Sequence, residues 1–207
     1  MKKMIKQNKN SKIKKDNFKI EKDSYFKYRW FYTSSGKLVI GGKNALQNEE
    51  IVSNLIKSGK NYLVMHTKDP GSPFAVIQSE IVSPNDIEEI AIFTGCFSRA
   101  WRENKKQVVV DIFQAIQLIK KKSMKVGTFG VSGNIQHKKV DLKLYLTKQK
   151  SVLRAVPFKP KEKNVICIFP GKIDKQTFAE QMSIKLEIVR DEVLQALPAG
   201  GFKTCNL

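Results

Sequence analysis

Residues 28–49 read YRWFYTSSGKLVIGGKNALQNE, and this stretch decides the local architecture of the chain. Aromatic and β-branched residues on both sides of Ser34-Ser35-Gly36-Lys37 predict a β-hairpin, because glycine accepts the positive φ of a tight turn. Gly41-Gly42 ends the second strand. Asn44 with Gln47 three positions later predicts a capped helix start. Two strands are therefore expected to lead directly into a helix N-terminus that carries amides and a lysine.

The rest of the chain alternates between strand and helix patterns. The first helix is expected to end at Gly59. Ser83-Pro84 with Asp86 predicts the start of a second helix, whose apolar stripe continues to Phe97 and Trp101. Asp174 is expected to cap a final helix with Val189 on its inner face. Strands are predicted at 62–66, 74–78, 108–113, 126–131, 140–146 and 165–169, and the last of these is expected to stop at Pro170-Gly171. The segment 115–122 is ambiguous. A flexible tail is expected at 196–201.

The mixture predicts an α+β fold. Regular βαβ spacing is absent, so we expect a single domain in which several helices pack on a mixed or antiparallel sheet. Its divisions are predicted as a basic, disordered arm (1–22), a core (23–150) and a C-terminal strand–helix extension packed on that core (151–207). The arm is rich in lysine and asparagine and could fold on a nucleic acid.

The charge of the chain indicates a polyanionic partner. Lys and Arg total 38 against 19 for Asp and Glu, a net charge of +19. The arm accounts for +7 of this total, which leaves +12 on residues 23–207. A field of that sign attracts phosphate backbones or anionic membranes. A lysine-rich proteome would produce the same excess without such a partner.

Composition also bounds the location and the chemistry. The longest apolar runs, such as 165–169, are far too short to cross a membrane, and no apolar stretch follows the basic N-terminus. Cys96, Cys167 and Cys205 are odd in number and widely spaced, which indicates reduced thiols in a cytoplasmic protein. The two histidines and three cysteines show no metal-ligand spacing, so we expect no metal and no cofactor.

The candidate binding residues begin at the first helix. Lys43, Asn44, Gln47 and Asn48 cluster at a helix start, where free N–H groups and the helix dipole favour a phosphate. The alternative is that the amides only cap the helix. Arg29 and Trp30 face opposite sides of their strand, so a buried Trp30 would turn Arg29 towards a phosphate, whereas an exposed Trp30 could stack on a base.

Further candidates follow along the chain. His66 with Lys68 could contact RNA. His66 with Asp69 could instead suggest acid–base chemistry, although no second catalytic partner is visible. Arg99, Arg102 and Lys106 are spaced to share one helix face, either as a phosphate-tracking stripe or as a solvated face. Lys37 in the hairpin turn completes the set of candidate RNA contacts.

Several motifs in order resemble the NFACT-R domain, the RNA-binding module of the ribosome quality-control NFACT proteins. The resemblance covers about residues 25–146. The closing Ala196-Leu197-Pro198 with Gly200-Gly201 is similar to stand-alone archaeal members. The motifs that carry it are Arg29-Trp30-Phe31, Leu38 to Gly42, Gln47-Asn48-Glu49, His66, Gly71-Ser72, Phe97 to Trp101 and Gly127 to Gly133.

The resemblance implies a non-catalytic protein that binds tRNA or rRNA at the ribosome, in translation or its quality control. The large family members also carry a DNA-glycosylase-like domain and a coiled coil, for which this chain has no room, so tail synthesis is not expected. In this chain, the segment from His66 to Gly71 differs from the acidic loop that the large members have at that place. The alternatives are an RNA-processing or RNA-modifying enzyme centred on His66 and Asp69, a DNA-binding module and a protein adaptor.

Overall fold

A six-stranded antiparallel sheet lies at the centre of the fold. The computed structural model describes residues 24–162 and 165–205, so the predicted arm lies outside the described residues. The strands of this central sheet are β1 (Arg29–Tyr32), β2 (Leu38–Gly41), β3 (Leu63–Thr67), β4 (Ala75–Ile77), β5 (Gln107–Gln114) and β8 (Gln136–Asp141). Their spatial order is β1-β2-β4-β3-β5-β8.

Two smaller sheets complete the strand structure. A short ladder pairs β6 (Leu118–Ile119) with β7 (Gly130–Val131). The C-terminal sheet contains β9 (Leu144–Gln149), β10 (Val152–Val156), β11 (Ile166–Ile173) and β12 (Phe202–Thr204). Its spatial order is β10-β9-β11-β12, and all of its pairs are antiparallel. The β9–β10 hairpin spans the predicted boundary at residue 150.

Helices cover the sheets. They are α1 (Ala45–Ser58), α2 (Pro84–Cys96), α3 (Arg99–Arg102), α4 (Lys175–Leu186) and α5 (Arg190–Ala196), with 3₁₀ turns at Ser24–Lys27 and Ala115–Gln117. The predicted α+β fold, a single domain, is confirmed. Within residues 24–162 and 165–205, no helix combines the length and the apolar character needed to cross a bilayer.

The local signals for helix starts and ends are confirmed. The side chain of Asn44 accepts a hydrogen bond from the Gln47 N–H at 2.9 Å, and Gly59 ends α1 with a φ of 67°. Ser83 and Asp86 form a reciprocal capping box at α2. Asp174 caps α4. These motifs are predictable because each depends on residues only two or three positions apart.

The two faces of the central sheet bury different cores. One face packs against α1 through side chains that include Trp30, Val52, Val64 and Phe113. The other packs against α2 and the C-terminal sheet. That second core includes Phe31, Ile90, Leu146, Phe178 and Phe202, and it joins both sheets into one apolar interior. Both faces of the central sheet are therefore covered by apolar packing.

The helix predicted to continue from Ser83 to Trp101 is two helices. Ser98 interrupts it, because its hydroxyl donates to the Gly95 carbonyl at 2.6 Å and accepts from the Ala100 N–H at 3.1 Å. A serine that bonds nearby backbone groups offers an alternative to the helical ladder. Arg99 and Arg102 lie in α3, whereas Lys106 lies beyond it. The predicted shared helix face of these three residues is therefore wrong.

The single strand predicted at 140–146 is divided between two strands, because the chain changes sheets there. Strand β8 ends at Asp141 and β9 begins at Leu144 in the C-terminal sheet. Leu142, only 1% exposed, lies at the crossing, and its N–H bonds to the Lys106 carbonyl. The strand predicted at 126–131 is limited to Gly130–Val131.

The C-terminal region is more ordered than the sequence suggests. Strand β11 continues past Pro170 through an irregularity in its pairing with β12, so the predicted stop is wrong. Val189 is 73% exposed and precedes the separate helix α5 rather than facing inward. The predicted flexible tail leads into β12, where Phe202 is fully buried against Phe178.

Lys37, which is partly exposed, forms an ion pair with a buried carboxylate. Its amine lies 2.6 Å from a carboxylate oxygen of Asp86, a residue with no exposed surface. Ser35 and Ser83 also donate to this carboxylate. Burial alone would raise the pKa of Asp86, but the hydrogen bonds from Lys37, Ser35 and Ser83 outweigh it and hold that pKa well below its usual range. Lys37 is therefore engaged in fixing the hairpin to α2.

We expect Asp86→Asn to lower the free energy of unfolding by about 3 kcal/mol, because it leaves Lys37 without its buried partner. The carboxylate contributes stability that is present above its unfolded pKa of about 3.9 and is lost as pH falls through the lower folded pKa. Urea unfolding at pH 7 and across the range below pH 4 measures both effects. The control is Glu88→Gln, on the same helix as Asp86. It breaks a surface pair with Lys138 of β8 and should cost under about 1 kcal/mol. Equal losses in the two variants would contradict the structural role of Asp86.

Candidate nucleic-acid interface

A groove opens beside the N-terminus of α1. Its volume is about 580 Å³. Its walls come from the start of α1, the end of β3, the loop before β4 and the loop before β7, and the segments concerned are 42–45, 66–68, 70–74 and 126–129. We call this cavity the α1 groove.

The α1 groove collects six of the eleven predicted candidates. These six are Arg29, Lys43, Asn44, Asn48, His66 and Lys68. Gln47 lies beside it and accepts from the Lys43 N–H at 2.9 Å. Arg99 lines a neighbouring cavity of about 180 Å³, and Arg102 and Lys106 are exposed elsewhere on the surface. Lys37 is committed to Asp86.

Asn48 ties α1 to the opposite wall of the groove. Its side-chain oxygen accepts from the Phe74 N–H at 3.2 Å, and its amide nitrogen lies 3.4 Å from the Ser72 carbonyl. A Cβ atom at Gly42 would lie 2.2 Å from that side-chain oxygen, so the chain needs glycine there. Asn48 is buried, and its amide is already used within the protein.

Glu49 fixes the wall of the groove that is formed by the loop before β7. Its carboxylate accepts from the Gly127 N–H at 2.7 Å and from the Lys120 amine at 2.6 Å. Gly127 has a φ of +74°, and a Cβ atom there would lie 2.7 Å from the Ala45 carbonyl oxygen. The loop before β7 therefore approaches the first turn of α1 as closely as backbone atoms allow, and Glu49 holds it there.

Within residues 24–162 and 165–205, the cations of the groove have no carboxylate partner. The Arg29 guanidinium lies 4.8 Å from the centre of the Phe97 ring, and burial lowers its pKa to about 10. Lys43 extends from the loop before α1, and burial and the charge of Arg29 both lower its pKa. The ion pairs found among the described residues include neither of these residues nor Lys68. An anion that enters the groove would supply the missing opposite charge.

His66 presents a neutral ring to the groove. Its Nδ1 bonds to the Thr67 carbonyl oxygen at 2.7 Å, and its ring packs on Phe74 with 4.5 Å between centroids. Burial lowers its pKa, although the Thr67 carbonyl and Asp111 oppose that shift. Asp111, the cross-strand neighbour of His66, bonds to His137 on the next strand at 2.7 Å. Asp69, the predicted acid–base partner, does not line the groove.

Residues 27–133 match the family described as NFACT protein RNA binding domain, which is more than half of the chain. The chain belongs to this family. The matched segment contains β1 to β7 and α1 to α3, and it supplies every residue that lines the α1 groove. The C-terminal sheet and helices α4 and α5 lie outside the match.

Relatives extend the similarity. The archaeal Rqc2 homologue aRqcH of Methanocaldococcus jannaschii is 28% identical over 205 residues, covering 87% of this chain and 29% of that protein. The ribosome quality control complex subunit NEMF of human and of mouse is 33% identical over 78 residues, covering 36% of this chain and 7% of NEMF. The chain therefore spans less than a third of each of these relatives. The C-terminal part of the fibronectin/fibrinogen-binding protein from Streptococcus suis aligns with a TM-score of 0.48 at 27% identity, over 56% of this chain and 44% of that chain.

Some groove residues of this NFACT protein RNA binding domain are not among the predicted RNA contacts. Phe97, Asp111 and Phe129 line the groove, but their positions depend on strand register and on the break between α2 and α3. Phe97 and Phe129 belong to motifs that carry the family resemblance, but a motif alone does not indicate which of its side chains enters the groove. Nothing local could have placed Asp111 opposite His66, because that pairing joins residues 45 positions apart.

We expect His66 to titrate below its ordinary value of about 6.5, because protonation would place a charge in a partly buried position. The folded protein should therefore lose stability as pH falls through about 6.5, since the unfolded chain binds the proton more readily. NMR titration of the two histidines provides the measurement. Asp111→Asn should lower the pKa of His66 further, because the Asp111 charge raises it. A midpoint above 6.5 in the unmodified protein would contradict this description.

Proposed function

We propose that this chain is a non-catalytic RNA-binding protein that binds tRNA or ribosomal RNA through the α1 groove. The observation that carries the proposal is a set of groove cations that have no carboxylate partner within the described part of the chain, at the N-terminus of a fourteen-residue helix. Membership of an RNA-binding domain family and the similarity to Rqc2 and NEMF proteins support a role in the cytoplasm, at the ribosome, in translation quality control.

The helix start supplies the geometry for a phosphate. An α-helix leaves its first N–H groups without partners inside the helix, and Asn44 takes only one of them. The dipole of α1 adds partial positive charge at the same end. Lys43 contributes a mobile ammonium, and Arg29 contributes a guanidinium held over an aromatic ring. A phosphodiester group would thus meet backbone donors and two kinds of cation within one groove.

The neutral groups beside the cations suit RNA. The amide of Asn44 and the ring of His66 can hydrogen-bond to a sugar hydroxyl or a base edge. Phosphate contacts alone cannot distinguish RNA from DNA or one base from another. The remaining positive charge of the domain would attract the polyanion from a distance. Affinity is therefore expected to come mainly from phosphates and from the shape of the RNA, with the neutral groups adding preference for RNA over DNA.

We expect the double variant Lys43→Glu with Lys68→Glu to bind a tRNA-sized RNA roughly 10- to 100-fold more weakly at physiological salt, since each reversal replaces an attraction with a repulsion. Fluorescence anisotropy with labelled tRNA measures the affinity. The wild-type plot of log K against log salt should fall steeply, and the slope of the variant should be shallower by about 2. The tRNA should be recovered intact after incubation, as a non-catalytic protein requires.

The matched control is Lys57→Glu, at the far end of the same helix, which is compared with Lys43→Glu alone because each variant reverses one charge. About 14 residues separate it from Lys43, so it should change only the long-range field, which salt screens. An equal loss of affinity in both proteins would mean that binding is diffuse. A flat salt dependence in the wild type would reject the electrostatic basis of the proposal, and cleaved RNA would favour the enzyme alternative.

A further inference from the structure

Two cysteines face each other at one end of the C-terminal sheet. In the pairing of β11 with β12, Ile168 lies opposite Thr204, so the next opposed pair is Cys167 with Cys205. The Cys205 N–H donates to the Cys167 carbonyl at 3.2 Å, which continues the ladder by this one step. Side chains of directly opposed residues on antiparallel strands project from the same face of a sheet. The two thiols are therefore neighbours in the folded protein.

The spacing of this pair suits a disulfide. Opposed residues joined by ladder hydrogen bonds have Cα atoms about 5.5 Å apart, and disulfides join Cα atoms about 4.4 to 6.8 Å apart. The two Cβ atoms must approach more closely than in a regular ladder. Cys205 lies one residue beyond the end of β12 at Thr204, so its backbone can make that approach without breaking the pairs of β12 itself.

The two thiols differ in exposure. Cys167 is only 1% exposed, whereas Cys205 is half-buried and reaches the surface. Burial and the neighbouring sulfur of Cys205 raise the pKa of Cys167 to about 12, so Cys167 holds its proton at neutral pH. A reagent from solvent therefore meets Cys205 first, with Cys167 directly behind it. The third cysteine, Cys96, is fully buried, and its thiol donates to the Lys143 carbonyl at 3.7 Å.

A lysine stands beside the pair. Tyr145 on β9 is the neighbour of Cys167 on its other side, and the Lys143 amine lies 5.0 Å from the centre of the Tyr145 ring and 5.6 Å from that of Phe169. A hydrogen bond with Tyr145 raises the pKa of Lys143, and negative charge on Cys167 or Cys205 would raise it further. The ion pairs of the described residues do not include Lys143. Partly exposed cysteines in such electropositive surroundings are the reactive ones.

We propose that Cys167 and Cys205 form an oxidation site at which a peroxide converts the two thiols into an intramolecular disulfide. The thiolate sulfur of Cys205 attacks one peroxide oxygen and the O–O bond breaks. The other oxygen takes up the proton that the thiol released and leaves as an alcohol or as water, so Cys205 becomes a sulfenic acid. The Cys167 sulfur then attacks the Cys205 sulfur, and its proton leaves with the sulfenic oxygen as water. The thiols lose two electrons and the peroxide gains them.

The disulfide would fix an edge strand that completes the core. Strand β12 has three residues and pairs with β11 at the edge of the C-terminal sheet. Its Phe202 stacks on Phe178, and the Gly201 carbonyl before it accepts from the Trp101 indole. A covalent link between residues 167 and 205 restricts the unfolded chain and keeps β12 in place. Neither cysteine lines the α1 groove, so oxidation should stabilise the fold without changing the groove.

Peptide mapping of the unmodified full chain is the first test. The protein is treated with one equivalent of hydrogen peroxide, denatured, blocked with N-ethylmaleimide and digested for mass spectrometry. We expect a disulfide between Cys167 and Cys205 in the monomer, Cys96 blocked as a free thiol, and recovery of both thiols with dithiothreitol. A disulfide to Cys96, a disulfide between two chains, or a sulfinic acid on Cys205 with Cys167 still a thiol would overturn the proposal.

Two matched serine variants test the order of the steps. In Cys167→Ser the partner thiol is missing, so peroxide should leave a sulfenic acid on Cys205 that dimedone traps. In Cys205→Ser the buried thiol of Cys167 should take up dimedone at least 10-fold more slowly. Equal labelling of the two variants would mean that Cys205 is not the thiol that the peroxide attacks.

Thermal unfolding measures the consequence for the fold. The oxidised protein should melt about 5–10 °C above the reduced protein, and peroxide should not raise the melting temperature of Cys205→Ser. Its affinity for labelled tRNA should stay within about 2-fold of the reduced protein, because the groove lies elsewhere. A melting temperature that is unchanged or lower in protein shown to carry the disulfide would overturn the proposed fixing of β12.

Discussion

The hydrogen bonds of Asn48 are the constraint on which the α1 groove depends. A buried amide joins the first turn of α1 to the backbone of the loop before β4, and Gly42 leaves the space that the amide needs. A buried polar side chain with satisfied partners specifies one arrangement, because every displacement leaves a group unpaired. The cations and the helix start therefore meet across a groove of fixed width.

The acidic and basic side chains near the groove have different roles. The carboxylates near the groove are used for construction, as Glu49 shows by holding Lys120 and the Gly127 N–H. Among the cations that line the groove, Arg29 is instead positioned by an aromatic ring, that of Phe97. An aromatic face orients a guanidinium and leaves its charge available. Such a surface presents positive charge that no carboxylate of the described residues neutralises.

The sequence predicts well what depends on near neighbours. Asn44, Gly59, Ser83 and Asp174 lie where their patterns indicate, because a cap involves residues within one turn. The break at Ser98 could not be inferred, since the apolar stripe continues through it and only packing chooses between one helix and two. The change of sheet at Leu142 has no local cause either. Among the candidates, the residues at the start of α1 share a groove, but Lys37 is used by Asp86 and Lys106 lies outside the helix.

The indole N–H of Trp101 bonds to the Gly201 carbonyl at 3.0 Å, a contact between residues one hundred positions apart. Phe202 then packs beside the indole in the same interior. Contacts of such sequence separation form late in folding, because the entropy cost of closing a long loop precedes the free energy that the contacts supply. During synthesis, α3 is therefore made before β12, and the Trp101 indole cannot form this hydrogen bond until β12 has been added. The order of translation thus leaves an incomplete core for as long as those hundred residues take to be made.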